Sequence, residues 1–184
     1  TTIKNQFQTG TCWAFAALSC TESNLIQKGL ENQNVQFSVP SLVLSTYANG
    51  GFDESIWDCG GTWMDSSLAM AAHRGLCYDE YEPFVSDGTE ATIVSEEKKG
   101  VCEYQLNYAS TITGGRNAIK NKIKELGGVM VSYYADDLYM TFDNKSYYDP
   151  ETTKYSGINH AVSVVGWDDN YSKSNFLAGY QPKK

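Results

Sequence analysis

The chain has 184 residues, of which 41% are hydrophobic and 20% charged, a length at which one domain buries roughly 70% of its unfolded surface. Its net charge of −8 argues against nucleic acid or an anionic membrane as partner, and no apolar run approaches the roughly 20 residues of a membrane span. Thr1 opens without a Met, a basic region or an apolar core, so no signal peptide is read here and the chain is expected to begin inside a longer product.

Residues 12–28 carry Phe15, Leu18, Glu22, Leu25 and Ile26 at helical spacing, with neither Pro nor Gly in the run, and Gly29 stands where a helix would stop. Ser38 is a candidate N-cap for a short helix over 40–47, since Pro40 is tolerated in a first turn. Residues 49–61 read as loop, 63–74 as a helix stopped by Gly75, and 117–126 as a helix stopped by Gly127 and Gly128. The later runs 129–134 and 161–167 are β-branched and aromatic, bounded by Gly, Asp and Asn, and read as strands. With no repeat or linker, we expect one α+β domain over 1–184. It would comprise a mainly helical lobe over about 10–105 and a β-rich lobe over about 106–184. A cleft between two such lobes is a common place for a site, and the 13 tyrosines fit strands and an aromatic-lined cleft.

Cys12 falls at the first turn of the predicted 12–28 helix. There the positive end of the helix dipole and the unpaired N–H groups favour an anion, and the thiolate is the reactive form of cysteine. Cys20, two turns further on, should instead behave as a small buried hydrophobe. The chain has five cysteines, Cys12, Cys20, Cys59, Cys77 and Cys102, and this odd count leaves at least one unpaired. A base for Cys12 should be a histidine. The choice is between His73, inside an Ala-rich helix, and His160, which opens the apolar run Ile158-Asn159-His160-Ala161-Val162.

The segment Gln6 to Trp13, with Gly10-Thr11-Cys12-Trp13 at its end, resembles the start of the catalytic helix in the papain family of cysteine peptidases. His160 lies 148 positions beyond Cys12 (160 − 12), within the family's spacing of roughly 130–150, and Asn159-His160-Ala161-Val162 reproduces the family's histidine run. Asp58-Cys59-Gly60-Gly61-Thr62-Trp63 is similar to its Cys–X–Gly–Gly segment. Phe37 to Leu42 sits where the family opens another helix, and Glu22 where it keeps a buried helical glutamate. The resemblance thus covers Ile3 to Trp167, in the right motif order. It implies a papain-like two-lobed fold with the active-site cleft between the lobes. Cys12 would be the nucleophile, His160 its base and Gln6 a side-chain donor to the oxyanion. Gly60, Gly61, Trp63 and Asn159 would contact substrate, with Gly61 letting an extended substrate backbone approach. The implied partners are protein or peptide substrates and an inhibitory propeptide outside this chain. Neither a cofactor nor a metal is implied. The run Gly166 to Lys173 looks most like the bacterial and archaeal secreted branch, which implies an extracellular or cell-surface location.

Three departures accompany the resemblance. Thr9 and Ser45 stand where many members carry disulfide cysteines, which leaves open other pairings among Cys20, Cys59, Cys77 and Cys102. One residue is missing between Cys59 and Gly60 relative to the pattern. The Asn–Ser–Trp–Gly segment that would orient the histidine is absent, and Asn170 and Asn175 lack its context, so the expectation is a chain cut short before that segment. Two other readings remain: a non-catalytic binding or adhesion domain on the same scaffold, and a thiol transpeptidase or amidase.

Overall fold

Helix α1, Cys12–Gln27, organises the molecule. The structure, a computed structural model, describes residues 2–47, 60–72, 75–81, 83–86, 91–92, 102–143, 145–150 and 157–183. Trp13, Ala14, Ala16, Ala17, Leu18, Glu22 and Leu25 of α1 are all buried. A helix covered on several sides is held by packing more than by propensity. Its end is a Schellman motif, with Gly29 at φ +68. The Gly29 N–H donates to the Ile26 carbonyl and the Leu30 N–H to the Leu25 carbonyl, each at 3.0 Å, so orphan carbonyls of the last turn are satisfied.

Helix α2, Val39–Tyr47, begins as expected: the Ser38 hydroxyl accepts from the Ser41 N–H at 3.0 Å. Helix α3 is Trp63–Ala72 and α4 is Arg116–Leu126. The first loop expected over 49–61 lies outside the described residues up to position 59, and so does His73. Among the described residues, six short strands complete the α+β set: β1 Leu76–Cys77, β2 Val85–Ser86, β3 Ala91–Thr92, β4 Cys102–Tyr104, β5 Val129–Tyr133 and β6 His160–Val164. They pair β1 with β4, β2 with β3 and β5 with β6. The first two pairs are antiparallel, and Cys77 stands opposite Cys102 in register.

The chain forms two compact units. One comprises Thr1–Val131 with Ala161–Val165, the other Ser132–His160 with Gly166–Lys184. In the first, Trp13, Leu18 and Leu25 pack with Phe37, Val39, Leu42, Val43, Met70 and Leu76 as the hydrophobic core. In the second, rings do much of the packing: Tyr133 meets Tyr147 with centroids 5.4 Å apart and Tyr139 meets Tyr180 at 5.0 Å. The Ser146 and Tyr171 hydroxyls share a hydrogen bond at 2.8 Å. Much of the tyrosine content is therefore structural here. Among the described residues no helix is long and apolar enough to cross a membrane.

Candidate active site

Cys12 is the first residue of α1, half-buried, with a free thiol. On either side, Thr11 is fully buried and Trp13 is 1% exposed, so packing fixes the backbone around the sulfur. The Thr11 carbonyl accepts the first helical bonds, from the Ala14 N–H at 2.9 Å and the Phe15 N–H at 3.2 Å. Its hydroxyl does not cap the helix; it meets the Thr9 hydroxyl at 2.6 Å instead. With no acidic residue in the first turn either, the positive end of α1 is left to whatever anion forms at Cys12.

Gln6 lies in a tight turn just upstream. The Asn5 side-chain oxygen accepts from the Phe7 N–H at 2.8 Å, and Phe7 itself has φ +52. The Gln6 carbonyl accepts from the Thr9 hydroxyl at 2.7 Å and from the Thr9 N–H at 3.3 Å. In return Gln6 Nε2 donates to the Thr9 carbonyl at 2.7 Å. Two residues earlier, Lys4 Nζ lies 2.5 Å from Glu22 Oε1, with side-chain exposures of 14% and 0%. Glu22 Oε1 also accepts from the Phe37 N–H at 2.9 Å, while Oε2 has no hydrogen-bond partner among the described residues. Burial pushes the Glu22 carboxyl above its usual range, against the pull of Lys4 and the hydrogen bonds from Lys4 and Phe37.

Gly61 lies against the indole of Trp13. A Cβ added there would sit 2.5 Å from Trp13 Cδ2 and Cε2, a distance at which a buried ring would have to move. This glycine therefore holds its own chain close to the start of α1. Thr62 caps α3 by accepting from the Asp65 N–H at 3.4 Å, and Asp65 Oδ2 accepts from the Thr62 N–H and hydroxyl, both at 2.7 Å. That reciprocal cap leaves Trp63 and Met64 on the surface at 42% and 60% exposure. An added Cβ at Gly60 would meet nothing within 4 Å. Asp58 and Cys59 lie outside the described residues.

His160 opens β6 and is half-buried. Burial pushes its imidazole below the ordinary value. The ring packs edge-to-face on Tyr133, centroids 5.6 Å apart. The approach to it is pinned by Asn159, whose carboxamide accepts from the Ala135 N–H at 2.6 Å and donates to the Ala135 carbonyl at 2.9 Å. The Asn159 N–H adds a bond to the Tyr133 carbonyl at 3.2 Å.

Residues 1–179 match the family model described as papain family cysteine protease. The chain belongs to the papain family of cysteine proteases. It is 27% identical to mouse cathepsin K over 178 residues, 96% of this chain and 50% of that protein. With rat procathepsin L it shares 27% identity over 95% of this chain and 49% of the other. The cysteine protease and lectin-like domains of Cwp84, a surface layer associated protein of Clostridium difficile, superpose with a TM-score of 0.73 at 27% identity. That match covers 100% of this chain and 40% of the other. The chain thus spans about half the length of the curated relatives it matches.

Within this papain-family chain, Gln6, Cys12 and Gly61 gather around the start of α1, whereas His160 and Asn159 belong to the second compact unit. The residues that hold these groups carry no chemical signal of that role in the sequence. Thr9, Thr11 and Trp13 brace the first set, and Tyr133 and Ala135 brace the second. Trp13 was visible as part of the motif, but its contact with Gly61, 48 positions away (61 − 13), carries no local signal. The open cysteine pairings narrow: Cys20 is free and Cys77 is disulfide-bonded. Cys20 is half-buried, short of the full burial expected, and its surroundings favour the protonated thiol. It sits 3.1 Å from the Ser163 hydroxyl, and burial pushes it up to about 11. Asn170 and Asn175 occupy local turns, their N–H groups donating to Asp168 Oδ1 at 2.8 Å and to the Ser172 carbonyl at 3.0 Å.

Proposed function

We propose that this chain carries a cysteine-type endopeptidase site that hydrolyses peptide bonds through a thioester acyl-enzyme. The observation that carries the reading is Cys12 at the first position of a buried helix whose start has no side-chain cap, in a chain of the papain family. His160 takes the thiol proton, giving a thiolate and an imidazolium. The Cys12 sulfur attacks the scissile carbonyl carbon, and the carbonyl oxygen becomes an oxyanion. Gln6 Nε2 and the Cys12 N–H donate to it; one such donor is worth roughly 3–4 kcal/mol of barrier. Collapse of the tetrahedral adduct breaks the C–N bond as His160 protonates the leaving amine. His160 then deprotonates water, which cleaves the thioester and restores the thiol.

In this reading an extended peptide runs beside Gly60 and Gly61, with Trp63 walling a side-chain subsite. Asn159 meets the substrate through its backbone carbonyl, because Ala135 engages its carboxamide and Tyr133 its N–H. The name of procathepsin L supports an inhibitory propeptide here too, and the surface-layer association of Cwp84 supports a secreted or surface-bound bacterial enzyme.

The test is site-resolved alkylation of the full-length protein by iodoacetamide at about pH 5.5, where an ordinary thiol of pKa about 8.5 is only about 0.1% ionised. Cys12 is expected to react far ahead of Cys20, the other free thiol among the described residues, and His160→Ala is expected to abolish that preference. Labelling of Cys12 as slow as that of Cys20, with no hydrolysis of a fluorogenic dipeptide amide, would overturn the peptidase reading in favour of a binding scaffold. Transfer of the acyl group to an added amine in preference to water would point to a transpeptidase.

A further inference from the structure

The turn before α1 contains a hydroxyl relay with one direction. Thr9 Oγ1 has a single proton, and it goes to the Gln6 carbonyl at 2.7 Å. In the 2.6 Å contact between Thr9 and Thr11, Thr11 must therefore be the donor. The order runs from the Thr11 hydroxyl to the Thr9 hydroxyl to the Gln6 carbonyl. Thr9 is 8% exposed and Thr11 0%, so water does not substitute readily for either bond. Thr11 is also the N-cap residue of α1, directly before Cys12.

The Gln6 carboxamide closes the same loop. Its partner is the Thr9 carbonyl at 2.7 Å, which can only accept, so the amide is held with nitrogen rather than oxygen facing Thr9. One of the two hydrogens on Nε2 is used in this way. The geminal hydrogen lies in the amide plane and points away from Thr9, which leaves it for another acceptor. We infer that Thr9 is a positioning residue for the Gln6 donor: it fixes the turn at both ends of Gln6 and ties that turn, through Thr11, to the helix start that carries the nucleophile. The inference rests on the reading of Gln6 as an oxyanion donor. Thr9 touches neither substrate nor sulfur in this role.

The test is Thr9→Val in the full-length protein, which keeps shape and removes the hydroxyl. The oxyanion exists only along the reaction path, so kcat should fall about tenfold with KM little changed, within the hundred- to thousandfold loss seen when such a donor is deleted. Alkylation of Cys12 by iodoacetamide builds no oxyanion, so its rate should stay as in the parent. Thr9→Ser, which keeps the hydroxyl, should restore kcat. In a Gln6→Ala background Thr9→Val should have no further effect. A Thr9→Val loss undiminished in that background, or alkylation falling in parallel with turnover, would overturn the positioning role while leaving Gln6 as donor. Unchanged kcat in Gln6→Ala alone would instead remove the donor reading and this inference with it. Should Thr9→Val fold poorly, Thr11→Val removes the donor into Thr9 and is expected to show the same dependence on Gln6.

Discussion

His160 carries two opposed influences. Burial disfavours the imidazolium and holds the group below its ordinary value, whereas a thiolate partner would favour the charged ring and pull it upward. The catalytic reading requires the second influence to win. Replacing Cys12 by Ala removes the thiolate and leaves burial alone, so the His160 pKa, followed by NMR titration of the ring protons, should be lower in Cys12→Ala than in the parent. Stability should follow with opposite signs. In Cys12→Ala the unfolded chain binds more protons than the folded one between the lowered value and about 6.5, so stability rises with pH across that window and levels off above it. In the parent, a thiolate that outweighs burial would raise the value instead, and stability would then fall as pH rises through it. The same titration in both proteins would mean that the imidazole never shares its charge with Cys12.

At the scale of elements, α1 is held from outside by the segment that carries Gln6. Lys4 reaches Glu22 on the helix, and Glu22 also accepts from Phe37, so one buried carboxylate joins three stretches of chain. Burial raises Glu22 above its unfolded value, so its contribution is full below about 4.5 and is lost as pH rises through the folded value; Lys4 offsets part of that loss. Lys4→Met would leave the carboxylate buried without its cation. Urea unfolding should show a deficit of about 3–5 kcal/mol near neutral pH, shrinking towards pH 4.5 as Glu22 takes a proton. A deficit equal at both pH values would assign the effect to the packing of the Lys4 stem. Features governed by neighbouring residues were legible in advance: the Ser38 cap, the Gly29 stop, and the placement of Cys12 at the start of α1 and of His160 at the start of β6. Those set by distant partners were not. β1 is two residues long and exists because Leu76 pairs with Tyr104 and because Phe37 bridges to Tyr78, and two residues show no period to read. The Thr9–Thr11 relay depends on the turn at Phe7, whose positive φ is rare for such a side chain.

Across the whole molecule the two compact units are stabilised by different means. Among the described residues, nearly all the buried apolar side chains belong to the first unit, from Trp13 to Leu76 with Ile123 and Ala161; in the second, Tyr139 and Ser146 are buried. The second unit relies on edge-to-face rings, worth about 0.5–1.5 kcal/mol each, and on hydroxyl and turn hydrogen bonds that are partly exposed. Local opening should therefore cost less there. Hydrogen exchange should find the amides of α1 protected to the level of global unfolding, and those of 137–148 and 170–180 exchanging much faster. Because Cys12 lies in the first unit and His160 in the second, the same asymmetry bears on function. In rising urea, the His160-dependent acceleration of Cys12 alkylation should vanish at a lower concentration than the helical circular-dichroism signal. The nucleophile would then persist on an intact α1 after its base has been lost. A single coincident transition in both signals would mean instead that the two units unfold together, and that the ring-packed unit draws its stability from the helical core.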